Sequence, residues 1–280
     1  MRILALGGGG LRTAFQVPIV ERLLDEYSYD LIVGISAGAV NGALAASGRV
    51  DWLRDEWEGI GTRMPLTGVS GLWSVSGRPW SSLFSLGPLR RRLVEQVSLD
   101  DLHTPLACGV VVRETHAYRA LISSNMTEDR QLHGAITASS AIAGLMPPVR
   151  LKDARGSWTL VDGGHRHSVP PVPSPWAERM THLDAIYCMP LETHEEPVRP
   201  ALLHAMAWAL ENHLESFKAL DLERMRLRAV HGVHVRIWAP SVPIGRVLDA
   251  RPDVIQQRLR LGEEARAQPV LELERPPVAR

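Results

Sequence analysis

Lysine is nearly missing from this chain. Only Lys152 and Lys218 are present, so arginine supplies almost all of the 31 basic residues. These are matched by 31 acidic residues, and the formal net charge is +0. With no basic excess there is no electrostatic footprint for a nucleic acid partner. Cysteine is scarce too: Cys108 and Cys188 are the whole supply. Both sit in apolar runs, with no Cys-x-x-Cys pair and no ligand spacing, which excludes a disulfide scaffold and a cysteine metal site and leaves buried, reduced thiols. No metal or other cofactor is expected. The chain starts at once on an apolar run, Ile3-Leu4-Ala5-Leu6, without a charged leader and cleavage site, so no cleavable secretory signal is expected. One charge-free stretch, residues 31–48, is long enough to imitate a membrane span, but Gly, Ser and Asn interrupt it. These absences point to a cytoplasmic protein with no transmembrane helix.

What is present is alternation. At 280 residues the chain can bury a full core. Short β-branched runs alternate with helix-compatible segments, the pattern of a three-layer α/β/α sandwich with a mainly parallel central sheet. Strands are expected at 2–6, 31–33, 105–113, 117–123, 158–161, 183–189 and 233–239. Helices are expected at 11–26, 37–46, 50–60, 88–97, 127–139, 201–230 and 252–267, the first delayed by Pro18. Residues 61–87, rich in Gly, Ser, Pro and Trp, break the rhythm and read as a lid-like excursion. Residues 269–280 are rich in proline and charge, and a frayed tail is expected over 271–280. No repeat or linker divides the rest, so a single domain is expected over 1–270.

Three short motifs carry chemistry. Gly34-Ile35-Ser36-Ala37-Gly38 is a Gly-x-Ser-x-Gly between a β-branched run and a small-residue helical segment. A serine on so sharp a strand-to-helix turn presents its hydroxyl at the sheet edge, and the helix start points free N–H groups back at it. A plain Gly/Ser turn would read the same. Gly7-Gly8-Gly9-Gly10-Leu11-Arg12 follows the first strand. A dinucleotide loop needs a glycine at its sixth position, where this chain has Thr13 counted from Gly8, or Arg12 counted from Gly7. Consecutive glycines also suit an oxyanion hole, with Gly8, Gly9 and Gly10 as amide donors. Asp162-Gly163-Gly164 ends a strand, and alone would pass for an Asx turn. Reactive groups of open parallel sheets gather beyond the carboxyl ends of the strands, so all three motifs are expected at one edge.

Together and in this order, the motifs resemble the patatin-like phospholipases. Ser139-Ser140-Ala141-Ile142, Met146-Pro147-Pro148 and Leu160-Val161-Asp162-Gly163-Gly164 are similar to that family's run into its catalytic aspartate. Thr13 departs from the family's usual glycine, and Pro18 is unusual in the first helix; neither removes a reacting group. The resemblance implies a Ser–Asp dyad without histidine or metal. Ser36 would attack an ester carbonyl and Asp162 would serve as base, with the glycine loop stabilising the oxyanion. Gly34, Gly38, Gly163 and Gly164 would shape the two turns. Arg12 would hold the loop or meet an anionic head group, or else stand solvated at the helix start. The implied substrate is a phospholipid or related acyl ester. A soluble carboxylesterase or thioesterase, and a non-catalytic lipid-binding protein of the same fold, are the alternatives.

Three further features of the sequence bear on function. His165 and His167 follow Asp162 closely enough to offer a Ser–His pair instead. Leu72, Trp73, Trp80, Leu83 and Phe84 in the excursion would either dip into a lipid interface, giving peripheral membrane contact through 61–87, or form a lid core. The pairs Trp52/Trp57 and Met206/Trp208, at helical spacing, read as core.

Overall fold

The computed structural model describes residues 1–63, 85–153, 156–192 and 202–274. The excursion's Leu72, Trp73, Trp80, Leu83 and Phe84 lie outside the described residues, as do the side chains of Met206 and Trp208. The strands are β1 (Arg2–Leu6), β2 (Leu31–Ile35), β3 (Leu106–Val112), β4 (Tyr118–Ile122), β5 (Val149–Asp153), β6 (Gly156–Asp162), β7 (His182–Ile186), β8 (His234–Trp238) and β9 (Leu271–Leu273). The helices are α1 (Val17–Glu26), α2 (Ala37–Ala46), α3 (Val50–Arg63), α4 (Gly87–Gln96), α5 (Asp129–Ser139), α6 (Trp176–Arg179), α7 (Leu202–Val230) and α8 (Pro252–Ala265).

The nine strands of the described residues lie in one sheet, ordered β5-β6-β3-β2-β1-β7-β8-β9, with β4 also paired to β3. The central strands β3, β2, β1, β7 and β8 run parallel. Strands buried on both faces are predominantly apolar, and side-chain alternation divides their apolar residues between two cores. Ile3, Ala5, Leu31, Val33, Ala185 and Ile237 face α7 through Met225 and Ala229. Leu4, Leu6, Ile32, Leu106 and Cys108 face the other helical layer, which contributes Leu53, Leu93, Ile136 and Leu259. The result is the three-layer α/β/α fold. No helix among the described residues is long and apolar enough to cross a membrane; residues 31–48 hold β2 and α2.

One register decides where the chemistry gathers. Residues 107–109 of β3 pair with β2 on one side and β4 on the other. Residues 110 and 111 pair with β4 and with β6. Strands β2 and β6 therefore share one edge of β3 and approach each other head-on. Ile35, the last residue of β2, sits opposite Gly109, and Asp162, the last residue of β6, sits opposite Val110. Ser36 and Asp162 thus arrive at the same junction from opposite directions. The expected gathering at the ends of parallel strands is corrected in this respect: β6 is antiparallel to β3.

Other departures are local. A 3-10 segment, Gly10–Gln16, precedes α1, whose first turn holds Pro18, so the proline delays the α-helix as expected. Helix α3 runs on to Arg63. The frayed tail expected over 271–280 is corrected at its start. Residues 271–273 form β9 against β8, and the Leu271 and Leu273 side chains cover the α7-side core. The Trp52/Trp57 pair is corrected too. Trp57 is 5% exposed, but Trp52 is 47% exposed, with Arg49 over its ring. Five residues on a helix turn the side chain to the far face, so only one of the two can be core.

Candidate active site

The serine turn is built by close backbone packing. A Cβ on Gly38 would stand 2.5 Å from the Gly7 carbonyl oxygen and 2.6 Å from that of Leu6; one on Gly34 would stand 2.5 Å from the Gly38 oxygen. Only hydrogens fit there, which lets α2 start directly on the end of β1. The cost falls on Ser36, whose φ is 58° and ψ −134°, a conformation that is strained for any residue with a side chain. The surroundings hold it in place. Its N–H donates to Ser139 Oγ at 2.9 Å, and Ser139 Oγ donates in turn to the Gly109 carbonyl at 2.7 Å. Ser140 Oγ reaches the Ser36 carbonyl at 3.4 Å. The end of α5 therefore acts as a brace for the turn.

Asp162 is 3% exposed. Its Oδ1 accepts from the Gly164 N–H at 2.7 Å, and its own N–H donates to the Ala141 carbonyl at 3.0 Å. Gly163 must be glycine, because a Cβ would sit 2.5 Å from the Gly109 carbonyl oxygen. No cation pairs with this carboxylate among the described residues. Burial pushes its pKa up to about 7, and hydrogen bonding with the Ser36 side chain and then the Gly164 amide opposes that rise. The carboxylate is thus poised between its two protonation states near neutral pH. Ser36, Asp162, Gly8, Gly9, Gly10, Gly164, His165 and Val247 surround a cavity of about 20 Å³, large enough for one water.

The glycine loop separates into used and unused amides. Gly7 donates to the Ile186 carbonyl at 2.9 Å and Gly8 to the Ser168 carbonyl at 3.0 Å. Gly8 is therefore corrected as an oxyanion donor: its N–H ties the loop to the sheet. The N–H groups of Gly9 and Gly10 have no acceptor among the described residues, and neither does that of Ala37. Ala37 was missed in the sequence. The signal for it was available, since the residue after a nucleophile on this kind of turn offers its amide.

The loop is held from beneath and from the side. Gln16 Nε2 binds the Gly7 carbonyl at 2.9 Å; Asn41 Nδ2 binds Gln16 Oε1 at 2.9 Å and the Thr13 carbonyl at 3.0 Å; Trp57 Nε1 binds Asn41 Oδ1 at 2.8 Å. Thr13 Oγ1 donates to the Gly10 carbonyl at 2.8 Å, a use for the residue that departs from glycine. Arg12 is buried, and its Nε donates to the Gly245 carbonyl. It is not a solvated helix-start residue. Arg258 of α8, 1% exposed, donates to the carbonyls of Ile244, Leu11, Asp249 and Arg246. Its desolvation, with Arg12 nearby, lowers its pKa to about 10. These two arginines fix residues 244–249 over the loop, where the Val247 carbonyl accepts from the Leu11 N–H at 2.8 Å.

The two histidines are differently engaged. His165 Nε2 accepts from the Ala143 N–H at 3.1 Å. His167 Nδ1 lies 2.9 Å from Asp221 Oδ1, and its ring meets Tyr118 edge-on at 4.8 Å. His167 thus faces α7. A second cavity, of about 150 Å³, opens from Ser36. Its walls include Val40, Leu44, Trp57, Leu86, Leu89, Leu93, Ile142 and Met146. Of the charged and amide side chains on it, Arg92 and Gln96 both donate to Glu56 and Asn41 is held by Gln16 and Trp57, which leaves the walls mainly apolar.

The sequence model for patatin-like phospholipases matches residues 4–173, from β1 through the Asp162 turn. The chain belongs to the patatin-like phospholipase family. Membership supports lipid acyl hydrolysis in general. Among solved structures, VipD from Legionella pneumophila is similar, with a TM-score of 0.46 and 12% identity over 95% of this chain. The chain spans 66% of that protein's length. No curated protein matches this patatin-like sequence.

Proposed function

We propose that the protein is a serine acyl hydrolase acting on phospholipids or related lipid acyl esters through Ser36 and Asp162. The observation carrying this reading is the buried, cation-free Asp162 carboxylate on the same small cavity as Ser36. A carboxylate with its ordinary pKa is a weak base towards an alcohol; one raised to about 7 by desolvation is better matched to the task. Asp162 takes the proton as Ser36 Oγ bonds to the ester carbonyl carbon. The carbonyl oxygen becomes an oxyanion facing the amides of Gly9, Gly10 and Ala37 at the start of α2. Collapse breaks the bond to the alcohol, which leaves with the proton from Asp162. A water, for which the small cavity has room, then gives a proton to Asp162 as its oxygen bonds to the acyl carbon; collapse breaks the ester bond to Ser36 Oγ, releases the acid and returns the proton from Asp162 to Ser36 Oγ. The apolar cavity beside Ser36 suits the acyl chain.

Labelling with a fluorophosphonate tests the nucleophile. Mass spectrometry is expected to find the tag on Ser36, with no tag on Ser36→Ala and slowed tagging of Asp162→Asn. A folded protein that takes no tag, or takes it on another residue, overturns the assignment.

A further inference from the structure

A third cavity, a cleft of about 570 Å³, lies beside the junction. Its lining includes Arg113, His116, Met146, His165, Arg166 and Phe217. Met146 also lines the acyl cavity, and His165 also lines the small cavity with Ser36 and Asp162. Met146 and His165 are thus walls that the cleft shares with the two spaces beside Ser36. Arg113 follows β3, level with Thr159 of β6, and Arg166 follows the Asp162 turn; both line this one cleft. Both are exposed, and the charge felt beside Arg113 is that of Glu114. No Asp or Glu lines the cleft among the described residues. The adjacent Glu114 turns its carboxylate to the Thr159 N–H, at 3.0 Å and 3.2 Å. The contrast with the acyl cavity is direct: there Arg92 and Glu56 form an ion pair, and here, among the described residues, Arg113 has only the exposed Glu114 as a neighbouring charge, which accepts from Thr159 first.

We propose that this cleft binds a phosphate anion on the alcohol side of the scissile ester, held by Arg113 and Arg166 with His116 at its rim. Guanidinium groups bind phosphate oxygens through paired, charge-assisted hydrogen bonds. The site selects a headgroup of net negative charge over a zwitterionic one, because a choline-type cation would enter a cleft that is already positive. This substrate preference rests on the hydrolase reading; the anion binding does not.

Short-chain phospholipids kept below their micelle-forming concentration test the preference without surface adsorption. Dihexanoyl phosphatidylglycerol is expected to be cleaved with a kcat/KM about tenfold or more above that of dihexanoyl phosphatidylcholine. The Arg113→Ala/Arg166→Ala variant is expected to bring that ratio near one. The Arg226→Ala/Arg260→Ala variant removes the same charge from exposed positions on α7 and α8 and is expected to keep the ratio. A ratio that survives in the first variant, or collapses equally in the second, overturns the proposal. Calorimetry on Ser36→Ala with glycerol 3-phosphate, and separately with inorganic phosphate, reads the anion site without turnover. Saturable binding lost with Arg113 and Arg166 supports the site even if no ester is cut. No binding of either ion overturns it, and phosphate binding without ester selectivity overturns the headgroup assignment.

Discussion

Asp162 and Asp184 are buried almost equally, 3% and 1% exposed, and the protein treats them in opposite ways. Asp184 lies in β7 amid partners: Arg236 Nε at 2.7 Å, Arg2 at 3.2 Å and the Tyr29 hydroxyl at 2.7 Å. Arg2 and Arg236 also stack on the Tyr27 ring, at 4.1 Å and 4.6 Å. Asp162 has a hydroxyl and a backbone amide, and no cation. A buried carboxylate either receives compensating charge and becomes structure, or is denied it and remains able to exchange a proton. Depth alone separates nothing here. The partners do, and they mark Asp162 as the residue suited to chemistry.

Exchanging each carboxylate for an amide breaks the comparison most sharply. Asp162→Asn is expected to lower ester turnover about 10²–10⁴-fold, with the fold intact. Asp184→Asn strands Arg236 and Arg2 against a neutral group, and is expected to cost about 3–5 kcal/mol of stability while the molecules that remain folded keep their turnover. Denaturant melts and initial rates on both variants check this. Activity loss in proportion to unfolding in both would erase the distinction.

Acidity sharpens it further. A base with a pKa of about 7 must lose its proton to act, so kcat/KM is expected to rise with pH through about 7 and then level off. The linked stability runs the other way. The native state holds a proton on Asp162 between its unfolded value, 3.8, and about 7, so this group's contribution to stability is lost as pH rises through that window. Asp162→Asn is therefore expected to be more stable than the parent at pH 8, by on the order of a few kcal/mol, and the gap should close as pH falls towards 4. Melting temperatures across pH 4–8 read both the sign and the window.

Much of this site was legible in the chain because glycine is legible. Gly34, Gly38 and Gly163 stand where a single methyl would strike a carbonyl, so the contacts that shape both turns leave a mark in the sequence. Ser36 and Asp162 are read from that mark. The direction of β6 leaves none, since a short apolar strand has the same composition whichever way it runs; its approach to β2 exists only in the register with β3. The clamp by Arg258 was hidden because a buried arginine and a surface one look alike in sequence, and its carbonyl partners are fourteen or fewer residues away only for Ile244, Asp249 and Arg246, while Leu11 is 247 away. Strand β9 was obscured by the proline and charge around it, although Leu271 and Leu273 show the period-2 pattern of a half-covered edge strand.

The smallest expected effect isolates what the turn itself costs. Ser36 keeps a positive φ because Ser139, Ser140 and the packed glycines leave it no other conformation. Glycine adopts that backbone freely, whereas alanine meets the same steric conflict as serine. Ser36→Gly is therefore expected to gain about 1 kcal/mol in stability over Ser36→Ala, although both variants lose the proposed nucleophile. Paired urea melts at one pH measure the difference, and no such gain is expected at a serine with negative φ, such as Ser140. If Ser36→Gly were no more stable than Ser36→Ala, the turn would hold its serine without strain, and the positive φ would reflect the geometry of the β2–α2 connection rather than stability given up for an exposed hydroxyl.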